Sequence, residues 1–350
     1  MSDSSETIQE IAFKLMLEQN KNDKILNGTT ERTIFVLGSK GVGKSTMINN
    51  FLDRNEPIRN TLALEYSYAR RTNLSGQSNQ KLVGNIWELG SLANSSQLID
   101  VPIKSHGLQY LSVVIMLNLS EPSELLIDLE SALQGLKQSI GNNYSESEIR
   151  EFREKIIEKD SHKDHPDINT LEVMPCQTVI IGGKYDLFEN LDSEIRKHVV
   201  KFLRSISHTL GASLIFYSMK IPSLSKTVRD IMSNLAFNSP QHPIRVQKTD
   251  FNEPIMISAF NDSWEKLVVM PSNSERIGIQ FSSQIQQNRD KNENQEMSVN
   301  PANDVNFRET IIDDLRAMKD DELIRLIKNS EIKLKFDSFN LANSPFNYLN

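Results

Sequence analysis

The stretch Gly38-Ser39-Lys40-Gly41-Val42-Gly43-Lys44-Ser45 has the spacing GxxxxGK[ST]. Glycine reaches positive φ at little cost, so successive backbone N–H groups can turn inward and form a concave cradle for phosphate oxygens. In such a cradle Lys44 reaches the β- and γ-phosphates, the Ser45 hydroxyl ligates Mg²⁺, and Thr46 continues the first helical turn. Two readings without chemistry stay open. One is a glycine-rich turn with no ligand. The other is a loop that keeps its shape while binding weakly.

The motif is informative only between a strand and a helix. Thr33-Ile34-Phe35-Val36-Leu37 is short, apolar and β-branched, as a buried parallel strand should be. Thr46–Leu52 reads as the helix after the loop, its N-terminal dipole facing the anion. Later strand ends carry the base-reading elements. Beyond the strand Thr178–Ile181 stands Gly182-Gly183-Lys184-Tyr185-Asp186, an NKxD-like run with Gly183 in place of Asn. Asp186 would accept both N–H groups of a guanine edge, and the Lys184 stem would cover the base. After the strand Ser213–Tyr217, Ser218-Met219-Lys220 resembles the SAK loop that packs against the guanine oxygen. Each is weak alone, but their order at carboxyl ends of strands points to a guanine-type site for GTP or GDP with Mg²⁺. An ATPase or kinase reading is thereby disfavoured.

The hydrolytic elements are poorer. The strand Val83–Leu89 runs into Trp87-Glu88-Leu89-Gly90-Ser91-Leu92, where Arf-like GTPases show Trp-Asp-x-Gly-Gly-Gln. In that register Glu88 takes the Mg²⁺-side Asp position and pairs with Ser45 as the candidate metal site. Ser91 replaces the γ-phosphate-sensing Gly, and Leu92 replaces the Gln that orients water. An apolar side chain cannot orient a nucleophile, so no catalytic residue is assigned and little or no hydrolysis is expected. Thr61 reads either as the switch threonine or as a surface turn residue.

The rest of the chain must position these residues. Strand-like runs also occur at Leu62–Tyr68 and Leu111–Leu119, and helical patterns at Ser123–Ile140, Glu148–Lys159, Asp192–Leu210 and Ser223–Phe237. The alternation predicts an α/β fold with a mainly parallel sheet and helices on both faces. Residues 1–30 read as an N-terminal helical extension, with its helix over Thr7–Gln19. Residues 31–283 read as the Ras-like domain, and the Asn/Gln-rich, charged stretch 284–306 as a flexible linker. In 307–350 Ile311, Ile312, Leu315, Met318, Leu323, Leu326 and Ile327 suggest an amphipathic helix.

Of 350 residues, 38% are hydrophobic and 24% charged, which supplies a full core. A net charge of −7 without a basic block argues against nucleic acid or an anionic membrane as partner. Cys176 is the single cysteine, so no intrachain disulfide or cysteine zinc site is expected, and a cytosolic setting fits. His162, Asp164, His165 and Asp167 could bind a transition metal, but Pro166 and the polar neighbours favour a structured turn. Arg70-Arg71 reads as a solvated strand end and Trp264 as a packed core residue.

Longer stretches carry a more specific likeness: Leu52-Asp53-Arg54-Asn55-Glu56-Pro57, Thr61–Tyr68 with Arg70-Arg71, Trp87-Glu88-Leu89-Gly90, Lys163-Asp164-His165-Pro166-Asp167, Lys184-Tyr185-Asp186 and Gly211-Ala212-Ser213-Leu214. With them the region Thr33–Phe237 resembles the dynein light intermediate chain family, on its dynein-2 side. The resemblance implies a Ras-like domain built on a heavy-chain tail, acting as a linking and stabilising subunit and not as a motor or an enzyme. It implies the dynein-2 heavy chain, the dynein-2 intermediate chains and intraflagellar transport particles as partners. It also implies a place in cytoplasm, cilium, axoneme and basal body, in retrograde transport and cilium assembly. The alternative is a regulatory GTP-binding switch with slow hydrolysis.

Overall fold

The computed structural model describes residues 31–55, 57, 59–72, 81–92, 96–158, 163–238, 247–288 and 309–342. The helix expected over Thr7–Gln19, most of the expected linker, and His162 lie outside them. The chain divides into two units, Met1–Asn294 and Gln295–Asn350.

The first unit is built on strands β1 (Arg32–Gly38), β2 (Leu64–Thr72), β3 (Lys81–Leu89), β4 (Leu111–Asn118), β5 (Gln177–Gly183), β6 (Ser213–Phe216) and β7 (Met256–Ile257). Their order in the sheet is β2-β3-β1-β4-β5-β6-β7. The five inner strands are parallel, and β2 and β7 close the edges antiparallel. Every residue of β4 is buried, Ser112 and Asn118 included, which explains its apolar run Val113–Leu117.

Alternation along β1 divides the core. Ile34 and Val36 face α1 (Lys44–Phe51) and α7 (Pro222–Phe237), meeting Met47, Ile48, Val228 and Ile231. Phe35 and Leu37 face the opposite cluster. Its helices are α2 (Ser96–His106), α3 (Leu125–Asn143), α6 (Ser193–Thr209) and α9 (Ser274–Gln284). Phe202 of α6 stacks on Phe281 of α9 with ring centres 4.0 Å apart. Short α5 (Tyr185–Phe188) and α8 (Trp264–Leu267) complete this side, and α4 (Glu146–Glu158) lies over the amino ends of the strands. A capping box forms at Ser145, whose N–H donates to Glu148 Oε2 at 2.8 Å.

The domain extends past its expected end. Gln284 belongs to α9, Ile285 packs on the core, and Gln287 Oε1 accepts the otherwise orphaned N–H of Leu126 at 3.2 Å. The stretch 284–288, read as linker from its polarity, is therefore packed. A polar side chain that caps a helix looks in sequence like one that is merely solvated.

The second unit contains α10 (Thr310–Ala342), longer than its apolar pattern indicated. Ile311, Leu315 and Met318 fall on one line, as do Leu323 and Leu326 or Ile327. At 3.6 residues per turn Leu326 returns to within about 20° of Leu315, while Leu323 lies about 80° away. The expected apolar residues thus spread over about half the helix circumference, and these side chains are exposed. Among the described residues no helix is long and apolar enough to cross a membrane.

Candidate nucleotide site

The phosphate loop has the form its sequence requires. Backbone φ is 149° at Gly38, 75° at Gly41 and 105° at Gly43, and Gly43 is the residue before α1. At Gly38 a Cβ would sit 2.3 Å from the Met116 carbonyl oxygen, so β4 and the loop pack against each other only through glycine. Val42 is buried in the core, while Lys40 and Gly41 are exposed at the rim. A cavity of about 130 Å³ opens above, lined by Lys40, Gly41, Gly43, Lys44, Ser45, Thr46, Asn60, Thr61, Glu88 and Gly90.

Inside it Lys44 is almost fully buried and its Nζ donates to the carbonyls of Gly38 at 2.7 Å, Ser39 at 2.8 Å and Gly90 at 3.2 Å. The Ser45 hydroxyl donates to Glu88 Oε1 at 2.7 Å, so the two expected metal-side groups meet. Burial pushes the Glu88 carboxyl above its ordinary range, opposed by the Ser45 hydrogen bond and by the charge of Lys44. Thr61 lines this cavity and donates to Glu65 Oε2 at 3.1 Å, which places it at the loop and not merely on a surface turn. Leu92 is half-buried and packs against the core. Asn60 and Gly90 escaped the sequence reading. Gly90 acts through its carbonyl, which no side-chain type announces, but the polar pair Asn60-Thr61 before a strand was a usable signal.

At the base end, Lys184 sits at φ 58° before α5, and the Tyr185 N–H donates to the Tyr217 carbonyl at 3.0 Å, tying the two base-reading loops together. Asp186 Oδ1 accepts from the Ser218 hydroxyl at 2.7 Å, and Lys220 Nζ lies 2.7 Å from Oδ2. The Lys220 hydrogen bond and then the Ser218 one hold the Asp186 carboxyl below its usual range. Met219 and Lys220 are exposed between them. Gly183 has its own reason: a Cβ there would stand 3.1 Å from the Val42 carbonyl oxygen. The strand end thus approaches the phosphate loop directly, with no asparagine side chain bridging them.

The residues present fit a phosphate-bearing ligand with a cation. The cradle has its three positive-φ glycines, an ammonium, and a hydroxyl–carboxylate pair for a metal. The ammonium, the hydroxyl and the carboxylate each also have a partner within the protein.

The histidine-rich turn is a different kind of site. His165 and Asp167 come together with His208 of α6, their ligand atoms lying within 4.8 Å of one another. Proximity alone would admit a metal. The hydrogen bonds do not. His165 Nε2 faces the Asp262 carbonyl at 2.9 Å and must carry the proton, while Nδ1 accepts the Asp167 N–H at 3.2 Å. Asp167 Oδ2 faces His208 Nε2 at 3.0 Å and accepts the Trp264 N–H at 2.9 Å. Trp264 is buried, as expected, and its Nε1 donates to Thr170. The turn is a hydrogen-bonded clasp between α6 and α8. Arg70 and Arg71 are exposed on β2, Arg70 lying over the Tyr68 ring.

No protein-family model matches the sequence. Curated relatives do. The cytoplasmic dynein 2 light intermediate chain 1 of Bos taurus is 35% identical, covering 93% of this chain and 96% of that protein. The Homo sapiens protein of the same name is 34% identical over the same shares, and the Danio rerio one 32% identical over 87% and 88%. Among solved structures, the conserved domain of a dynein light intermediate chain superposes with a TM-score of 0.54 at 17% identity. It covers 75% of this chain and 93% of that one, a likeness of fold. With 35% identity along nearly its whole length, the chain belongs to the family of cytoplasmic dynein 2 light intermediate chains.

Proposed function

We propose that this chain is a non-motor subunit of a dynein-2 complex, linking and stabilising the heavy chain for retrograde intraflagellar transport and cilium assembly. Its partners on this reading are the dynein-2 heavy chain, the intermediate chains and intraflagellar transport particles, in cytoplasm, axoneme and basal body. The Ras-like domain holds GTP or GDP with Mg²⁺ without turning it over. Gly38 to Thr46 would hold the phosphates, Ser45 and Glu88 the cation, and Lys184, Asp186 and Ser218–Lys220 the base. Bound Mg²⁺ would supply charge neutralisation between the phosphates.

Leu92 carries the non-hydrolysing half of the reading. It stands where a water-orienting group belongs and spends its surface on the core. The subunit half rests on the relatives' names. The test is co-expression with a dynein-2 heavy-chain tail, followed by gel filtration and chromatography of the nucleotide released on denaturation. Co-elution, with guanine nucleotide near one per chain and GTP turnover at solvent background, supports the proposal. Turnover at the rate of ordinary switch GTPases refutes the structural role of the site, and separate elution refutes the subunit role.

A further inference from the structure

A second cavity lies away from the phosphate loop, at the opposite end of the sheet. It holds about 470 Å³, within the range of small-molecule sites. Its floor is the starts of the central strands: Arg32 of β1, Leu111 of β4, Gln177 of β5 and Ser213 of β6. Its roof is α4, which contributes Phe152, Lys155 and Ile156 yet buries none of its own residues. An apolar helix face over an unfilled space is poorly satisfied by the protein itself.

Three observations say what the space would take. Among the described residues lining it the charged side chains are Arg32 and Lys155, with no Asp or Glu. Arg32 Nε is buried without a hydrogen-bond partner, an uncommon loss for a guanidinium. Lys155 by contrast is paired with Glu151 at 2.6 Å, so Arg32 is the cation left to recognise a ligand. The remaining wall is apolar, from Leu108, Leu111, Phe152, Ile156, Pro175 and Phe260.

The wall is also held under strain. Phe260 has φ 58°, unusual for a bulky residue, and its ring closes on Gly211, where a Cβ would lie 2.7 Å from the ring. Strained backbone of this kind persists where surroundings over-determine it, and ligand clamps are one such place.

We propose that this cavity binds a small amphipathic monoanion, a carboxylate on an apolar body, with the carboxylate on Arg32 and the body between Phe152 and Phe260. The site is independent of the nucleotide loop.

The test is titration calorimetry and thermal unfolding of the full chain with sodium decanoate below its micellar concentration, with decanamide and acetate as comparators. Decanoate should bind and raise the melting temperature, and the two comparators should bind at least tenfold more weakly. Arg32→Leu should weaken decanoate at least tenfold and Arg32→Lys less. Ala259→Phe, which fills the space without touching the cation, should abolish binding. No binding by the wild type, or equal binding of decanamide, overturns the proposal. Should Arg32→Leu fail to fold, retained decanoate binding by Ala259→Phe overturns it alone.

Discussion

Lys44→Ala separates a loop that merely receives phosphate from one that also braces the fold. The Lys44 ammonium is buried on three carbonyls, those of Gly38, Ser39 and Gly90. The last of these ties the start of α1 to the residue after β3. A hydrogen bond to a charged group contributes about 1.5–3 kcal/mol. Removing the ammonium also removes the cost of burying it, and the adjoining cavity lets water reach the freed carbonyls. The net loss is therefore set at about one such bond, roughly 2–3 kcal/mol. For a domain of this size each kcal/mol moves the melting temperature by about 2–4 °C, so a fall of roughly 4–12 °C is expected. The assay is thermal unfolding of protein stripped of nucleotide with chelator and phosphatase. Nucleotide retention, measured in parallel, should fall at least tenfold. An unchanged or raised melting temperature in the stripped variant would refute the bracing role, whatever happens to retention.

Glu88→Gln should raise the melting temperature at neutral pH, because burial raises the Glu88 pKa and ionising it costs stability. That stability is fully present below the unfolded value near 4.5 and lost as pH rises through the folded one, so the two proteins should converge in acid. Burial lowers the His208 pKa below 6.5, so its neutral form belongs to the fold. Stability should decline from about pH 6.5 downward, a slope that His208→Gln removes and that denaturant titrations at several pH values would read. Zinc should leave the melting temperature unchanged, since both His165 nitrogens are engaged; a rise would overturn the clasp assignment. Leu315→Asp with Met318→Asp should abolish pull-down of a dynein-2 partner at constant melting temperature, whereas intact pull-down with a lower one means the helix serves its own chain.

The geometry of the candidate site was legible because its parts are written locally. Gly38 to Ser45 is contiguous, and Asp186, Ser218 and Lys220 each follow an apolar run that can only be a buried strand. Long-range partners were not legible. Nothing near His165 names His208, which arrives from α6, more than forty residues on. The third carbonyl on Lys44 belongs to Gly90, whose side chain says nothing. Edge strand β7 has only Met256 and Ile257, too few residues for an alternation to register. The cavity beneath α4 is likewise a gap between elements, and a gap has no sequence of its own. The residues of α10 beyond Ile327 escaped because the apolar ones there do not keep to one face, and period counting follows one face.

The engaged state of the candidate nucleotide residues bears on why this chain can keep the loop while carrying Leu92. In a switch, the groups that meet phosphate and base are released or captured with the ligand, and that difference drives the motion. Here Lys44 is held by carbonyls, Ser45 by Glu88, and Asp186 by Ser218 and Lys220. A ligand entering such a site exchanges one set of partners for another, which reduces its differential effect on the fold. Leu92 packs against the core and presents no polar group to such an exchange. A domain of this construction is stable on either side of the exchange. The glycines that shape the loop are also what let β4 and β5 approach it, so the loop's form serves the packing of the sheet as well as any ligand.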